Sequence, residues 1–143
     1  MRLLLSLALV FFSAAEAMAV PDAAQLSGPD YRAAVDALTA AYDFGVAEAP
    51  PRGCVVTLKG PSAQTKRRAG LPVTINARCR HRYPILRSVS RWEPTGGGSV
   101  RLLGGKRLRE LSDFSPVQDG SGVYLRGGFE GEAKVYELRA RGQ

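Results

Sequence analysis

Cys54 and Cys79, the single histidine His81, and the carboxylates Glu130, Glu132 and Glu137 are the side chains from which this chain could build chemistry. The two cysteines are the only ones and are not spaced as Cys-x-x-Cys, so a dithiol redox centre does not fit. A serine or cysteine nucleophile needs a base, and His81 is the sole histidine, set between Arg80 and Arg82 where an exposed loop residue is expected. One histidine and two cysteines also make a poor metal set. Paired carboxylates could cleave glycosides, but no spacing among Glu130, Glu132 and Glu137 singles out such a pair. Gly96-Gly97-Gly98 and Gly127-Gly128 lack the strand-to-helix setting and the lysine of a phosphate loop, and they read as hairpin turns. The expectation is a binding protein rather than an enzyme, with no catalytic residue, no metal and no cofactor.

The cysteines are positioned by two segments that read as strands, Gly53 to Leu58 and Leu71 to Cys79. Side chains alternate on a strand, so Cys54, Val56 and Leu58 share one face, and Leu71, Val73, Ile75, Ala77 and Cys79 share another. Two sulfurs on the apolar faces of consecutive strands predict one disulfide inside a small β core. A bridge closing that loop would contribute roughly 3 kcal/mol on the chain-entropy account. Trp92, the only tryptophan, is expected to be a core residue in the strand that follows.

The N-terminus sets the compartment. Met1-Arg2, the apolar run Leu3 to Phe12 and the ending Ala17-Met18-Ala19 describe a secretory signal over residues 1–19. The run is too short for a bilayer span, which takes about 20 residues. Cleavage after Ala19 would leave Val20 first, with a cut after Ala17 as the alternative. No lipoprotein cysteine follows, so the expectation is a periplasmic or secreted protein with no stable membrane anchor, in which a disulfide is permitted. The net charge of +7 is unchanged by removing Arg2 and Glu16. Its cations are spread over loops, Lys66-Arg67-Arg68, Arg78-Arg80-Arg82, Lys106-Arg107-Arg109 and Arg139-Arg141, as on a solvated surface. Export argues against a nucleic-acid partner; steering toward an acidic partner is the sharper reading.

Residues 20–29 are short of large apolar side chains and read as an exposed arm ahead of one domain, 30–143, expected to be a monomer. Asp30 is placed to cap a helix carrying Tyr31, Val35, Leu38 and Tyr42 on one side. Tyr42 to Val46 reads as the first strand, Tyr83-Pro84 and Ile85-Leu86 as a turn or short helical bend, and Ser90 onward as a strand ended by Pro94 and the glycines. Val100-Arg101-Leu102 and Leu108 to Leu111 flank Gly104-Gly105 as a hairpin, and Val123-Tyr124-Leu125 and Val135 to Leu138 flank another Gly-rich turn. About eight short strands with tight turns predict a mainly β domain, a small antiparallel barrel or sandwich.

Taken in order, the signal, the arm, the short helix, Cys54-Val55-Val56-Thr57-Leu58, Cys79, Trp92, Gly98-Ser99-Val100-Arg101-Leu102 and Tyr136-Glu137-Leu138-Arg139 resemble the bacterial alkaline proteinase inhibitors. Those are small periplasmic inhibitors of secreted serralysin-type zinc metalloproteases, and related outer-membrane lipoproteins share their domain. The resemblance covers most of the chain after the signal. It implies an eight-stranded antiparallel barrel with a short N-terminal helix and one disulfide. It also implies that the N-terminal arm enters the protease's active-site cleft with its free amine approaching the catalytic zinc. That role falls here to Val20, Pro21, Asp22, Ala23 and Ala24. The family's Leu-Ser-Gly-x-Trp type segment before its first strand is matched in place by Leu38-Thr39-Ala40-Ala41-Tyr42 and in letters by Leu26-Ser27-Gly28. The first register lengthens the arm and is preferred; the second leaves little arm to reach a zinc. The rival function is a noncatalytic envelope barrel that binds a small ligand or an acidic partner, since fold alone does not decide function.

Overall fold

A computed structural model describes residues 28–47, 53–62 and 70–142. Helix α1 spans Gly28–Leu38, and strands β1 (Ala40–Val46), β2 (Val55–Leu58) and β3 (Leu71–Ile75) follow it. Helix α2 (Ala77–Arg82) and a 3-10 turn (Pro84–Ser88) lead to β4 (Val89–Thr95). The chain ends in β5 (Ser99–Gly104), β6 (Arg109–Asp119), β7 (Gly122–Phe129) and β8 (Val135–Ala140). Each strand pairs antiparallel with the next, and β8 returns to β1 with Leu138 opposite Phe44. The barrel is closed, which leaves no sheet edge exposed for edge-to-edge pairing.

Period-two alternation selects the interior. Phe44, Val56, Leu58, Trp92, Leu102, Phe114 and Leu138 all point inward and are fully buried. Trp92 lies opposite Leu71 on β3 and Leu102 on β5, and its indole N–H donates to the Lys59 carbonyl at 2.9 Å. The large ring is thus buried with its one polar atom satisfied. Phe44 stacks on Tyr136 with centroids 5.1 Å apart, and Phe129 and Phe114 meet it edge-on.

Each mouth of the barrel is covered. At one, α1 buries Val35 and Leu38, and the helix is tied to the wall through its last carbonyls. Thr39 Oγ1 donates to Val35 O and Tyr42 Oη to Leu38 O, both at 2.7 Å, which satisfies groups a helix end leaves open. At the other mouth, Cys79 and Leu86 are fully buried, and the Tyr83 ring meets Phe44 edge-on at 5.1 Å.

Cys54 and Cys79 are disulfide-bonded, but Cys79 reaches its partner from α2 and not from a strand. β3 stops at Ile75 because Asn76 turns the chain. The Asn76 side-chain oxygen accepts from Cys79 N at 2.9 Å as a helix N-cap, and its amide donates to Gly53 O at 3.3 Å beside Cys54. One asparagine therefore both starts α2 and brings the two sulfur-bearing segments together. His81 is exposed, on this helix rather than in a loop.

Three smaller expectations change as well. α1 begins at Gly28, so Gly28 and Pro29 belong to the helix, and Asp30 sits in its first turn, where a carboxylate favours the helix dipole. Pro94 lies buried inside β4, which continues to Thr95. Gly127 and Gly128 lie within β7, and the turn they were expected to make falls after Phe129. Gly127 is needed there because a Cβ would collide with the Asp113 carbonyl of β6.

Candidate functional site

The arm residues Val20, Pro21, Asp22, Ala23 and Ala24, the signal at 1–19 and the basic loop Lys66-Arg67-Arg68 lie outside the described residues. The described chain fixes where the arm joins the domain. Gly28 opens α1 in an exposed position with φ 63°, a left-handed conformation that suits glycine. One turn later Tyr31 is half-buried near Glu93 of β4; burial first, and then that carboxylate, push its hydroxyl pKa up. Leu38 to Tyr42 runs straight from α1 into β1.

Under the C-terminal end of α1 lies a recess of 350 Å³, lined by Ala37 and Leu38 with Tyr42, Leu125 and Leu138 of the barrel rim. Gly97, Gly98 and the exposed Val123 form its outer margin. The lining is apolar apart from hydroxyl and backbone groups. A second recess of 330 Å³ on the β6–β7 wall is acidic, with Glu110, Asp113 and Glu130 around it. Among the described residues, no group of histidine, cysteine and carboxylate side chains is placed to hold a metal ion.

The three candidate glutamates are separated by the fold. Glu130 is exposed beside the acidic recess, and Glu132 in the β7–β8 turn accepts the Tyr136 hydroxyl at 2.8 Å. Burial first, then this bond, hold the Tyr136 pKa well above the ordinary phenol value. Glu137 is on the outer face of β8, yet only 5% of its side chain is exposed. Arg126 of β7 donates to one of its oxygens and Arg139 of β8 to the other, each at 3.0 Å. With both oxygens taken, Glu137 is a clasp between strands and offers no acid or base to a substrate.

That clasp extends into a network the one-dimensional reading did not identify. Arg126 also donates to the Tyr124 hydroxyl at 2.9 Å, and Tyr124 donates to Asp119 at 2.9 Å. Arg139 lies 3.9 Å over the Tyr124 ring and donates to Ser121 Oγ. Asp119 accepts both the hydroxyl and the backbone N–H of Ser121, and these bonds, with that from Tyr124, hold its carboxyl down at about 2. The signal was present in the alternation: Tyr124 and Arg126, and Glu137 and Arg139, are the outward residues of their strands. Only the register, Arg126 opposite Glu137, shows that they meet. On the opposite wall Arg101 of β5 lies between Glu93 and Glu110, at 3.3 and 3.2 Å.

No protein-family model, curated protein or solved structure matches this chain.

Proposed function

We propose that this chain is an exported inhibitor of a secreted, serralysin-like zinc metalloprotease, acting through the arm Val20, Pro21, Asp22, Ala23 and Ala24. The observation that carries this reading is the filled barrel, sealed at one mouth by α1 and at the other by α2 and the 3-10 turn. A barrel built to carry a ligand keeps its interior open; here Trp92, Phe44, Phe114 and their neighbours occupy it. Recognition then falls to the outer surface and to the segment leading into α1. A rigid domain behind a small-residue arm suits insertion into a narrow cleft, because little ordering entropy is lost in the body that follows. Residues 20–27 would reach at most roughly 29 Å when extended, long enough to enter an active-site cleft from a domain seated at its rim.

Helix placement favours the register in which Leu38 to Tyr42 leads into the first strand, because Leu38 closes α1 and Ala40 to Tyr42 open β1, while Gly28 opens α1. The two polar walls fit a stabilising role, with their ion pairs made within the protein. The test is a titration of a serralysin-type protease with the chain beginning at Val20. Stoichiometric loss of peptidase activity is the expected result. Unchanged activity at a large molar excess against several such proteases overturns the proposal.

A second reading rests on the apolar recess beneath α1. Its 350 Å³ sits at the lower end of the range for small-molecule sites, roughly 300 to 1,000 Å³. A chain that fails the protease titration but protects an apolar fluorophore from water, with loss of signal in Leu125→Gln, would be read this way instead.

A further inference from the structure

We propose that the end of the barrel formed by α2, the 3-10 turn and the β5–β6 turn is a docking face for an anionic lipid surface rich in phosphate headgroups. The proposal is independent of protease inhibition, which concerns the segment ahead of α1 at the other mouth.

The barrel's up-and-down order brings together cations that lie far apart in the chain. Arg78, Arg80 and Arg82 are on α2, and Arg87 is in the 3-10 turn that follows. Lys106 and Arg107 occupy the β5–β6 turn, and Arg109 opens β6. These groups share one end, because Val89, which follows the 3-10 turn, is opposite Gly104, and Gly104 is opposite Arg109. The Ser88 carbonyl packs directly against Gly104, where any side chain would clash, so the two segments are in contact. All of these cations but Arg80 are exposed, and Arg80 and Arg87 cross-link the two segments by donating to each other's neighbouring carbonyls at 3.2 Å.

The carboxylates of this end are largely engaged elsewhere. Glu110 pairs with Arg101 and Glu132 accepts from Tyr136, while Glu130 is exposed toward the acidic recess on the β6–β7 wall. Among the described residues, no carboxylate pairs with Arg78, Arg87, Lys106, Arg107 or Arg109. At the α1 end, the described Arg32 and Lys59 have Asp30 and Asp36 on the same helix or mouth. Seven cations, Arg78, Arg80, Arg82, Arg87, Lys106, Arg107 and Arg109, thus gather at the α2 end among the described residues. The wall ion pairs cancel one another.

The chemistry of this face selects among anionic partners. The cluster is mostly arginine, whose fork binds phosphate oxygens in pairs. A stable protein interface is anchored by several buried aromatic or aliphatic groups, and of the exposed large aliphatics described Val123 is at the other end and Val135 alone is at this one. Single-stranded nucleic acid needs open rings for stacking. Tyr83, the least buried aromatic side chain at this end, is instead taken up by Phe44 and Tyr136, with Arg82 lying over it, and Phe129 and Tyr136 are buried. Neither recess described is lined by these cations. A broad array of flexible positive side chains without a shaped pocket fits laterally mobile headgroups, which rearrange to meet the charges.

The experiment is co-sedimentation of the chain beginning at Val20 with vesicles of phosphatidylcholine alone or mixed with phosphatidylglycerol. Binding is expected only to the mixed vesicles, falling at least about ten-fold between low salt and physiological ionic strength, where the screening length shortens to about 8 Å. The paired variant Arg107→Gln with Arg109→Gln should lose most of the binding, whereas Arg32→Gln with Lys59→Gln, the same charge change at the α1 end, should lose less than two-fold. Circular dichroism confirms that both fold. Equal losses from the two pairs would reduce the effect to net charge and overturn the proposal. So would binding to pure phosphatidylcholine, or tighter binding to polyglutamate or to an oligonucleotide than to the mixed vesicles.

Discussion

Cys54 and Cys79 are 1% and 0% exposed, so the sulfur pair is both a covalent tie and part of the core. The tie anchors α2 to the start of β2, and with it the cover of one mouth. The oxidised chain should take up no alkylating reagent when unfolded in denaturant without reductant, and two equivalents after reduction. The double variant Cys54→Ser with Cys79→Ser should lose roughly 3 kcal/mol, read by urea unfolding. Trp92 tests the core in the same way. Trp92→Ala should cost about 3–5 kcal/mol from the cavity it leaves. Trp92→Phe should cost less but still strand the Lys59 carbonyl, by about 1–3 kcal/mol. A Trp92→Ala protein that melts normally would place that ring outside the energetic core.

The wall network is the element through which acidity should act on stability. Asp119 titrates at about 2 in the folded protein, below its ordinary 3.8. A depressed carboxylate stabilises the fold above its unfolded value, and that contribution is lost as pH falls from near 4 toward 2. The melting gap between the wild type and Asp119→Asn should therefore be constant from neutral pH to about 5 and close by about 2. A gap independent of pH would show that Ser121 and Tyr124 stabilise the turn without regard to charge. Glu137→Ala should cost about 1–3 kcal/mol, less than a fully buried pair, because 43% of Arg126 and 34% of Arg139 remain exposed and can turn to water. Strands and hairpins were legible in the sequence because alternation reports directly on a filled barrel interior. Helix α2 was not, since Ala77 and Cys79 continue the period of β3 on paper. What ends β3 is a single capping side chain, Asn76, whose bonds to Cys79 and Gly53 involve a contact distant in the chain. Gly127 misled for a related reason. Its role is close approach to Asp113 on a neighbouring strand, and no local pattern separates that from a turn. The charged clasp and the gathering of cations at one mouth depend on register and topology, which alternation alone does not supply.

On the scale of the whole molecule, the segment ahead of α1 and the barrel should separate into function and stability. Val35 and Leu38 give α1 its hold on the core, and Gly28 begins the helix, so the described core is built from residues that all follow the arm. Three chains decide whether inhibition resides in the arm: one beginning at Val20, one at Gln25, and one with a single extra residue before Val20. All three should melt together, because each keeps every described core residue. Only the first should inhibit a serralysin-type zinc protease tightly. The extended chain moves the free amine by about one residue, roughly 3.5 Å, far beyond the tolerance of a metal–nitrogen bond of about 2.1 Å. It should retain cleft contacts but lose zinc contact, and so inhibit more weakly without losing inhibition. The chain from Gln25 should lose nearly all of it. Equal inhibition by the Val20 and Gln25 chains would move the binding surface from the arm to the barrel, while a lower melting temperature for the Gln25 chain would mean that the arm also packs on the domain. Vesicle binding through the α2 end should be the same for all three, since that face lies across the barrel from where the arm begins.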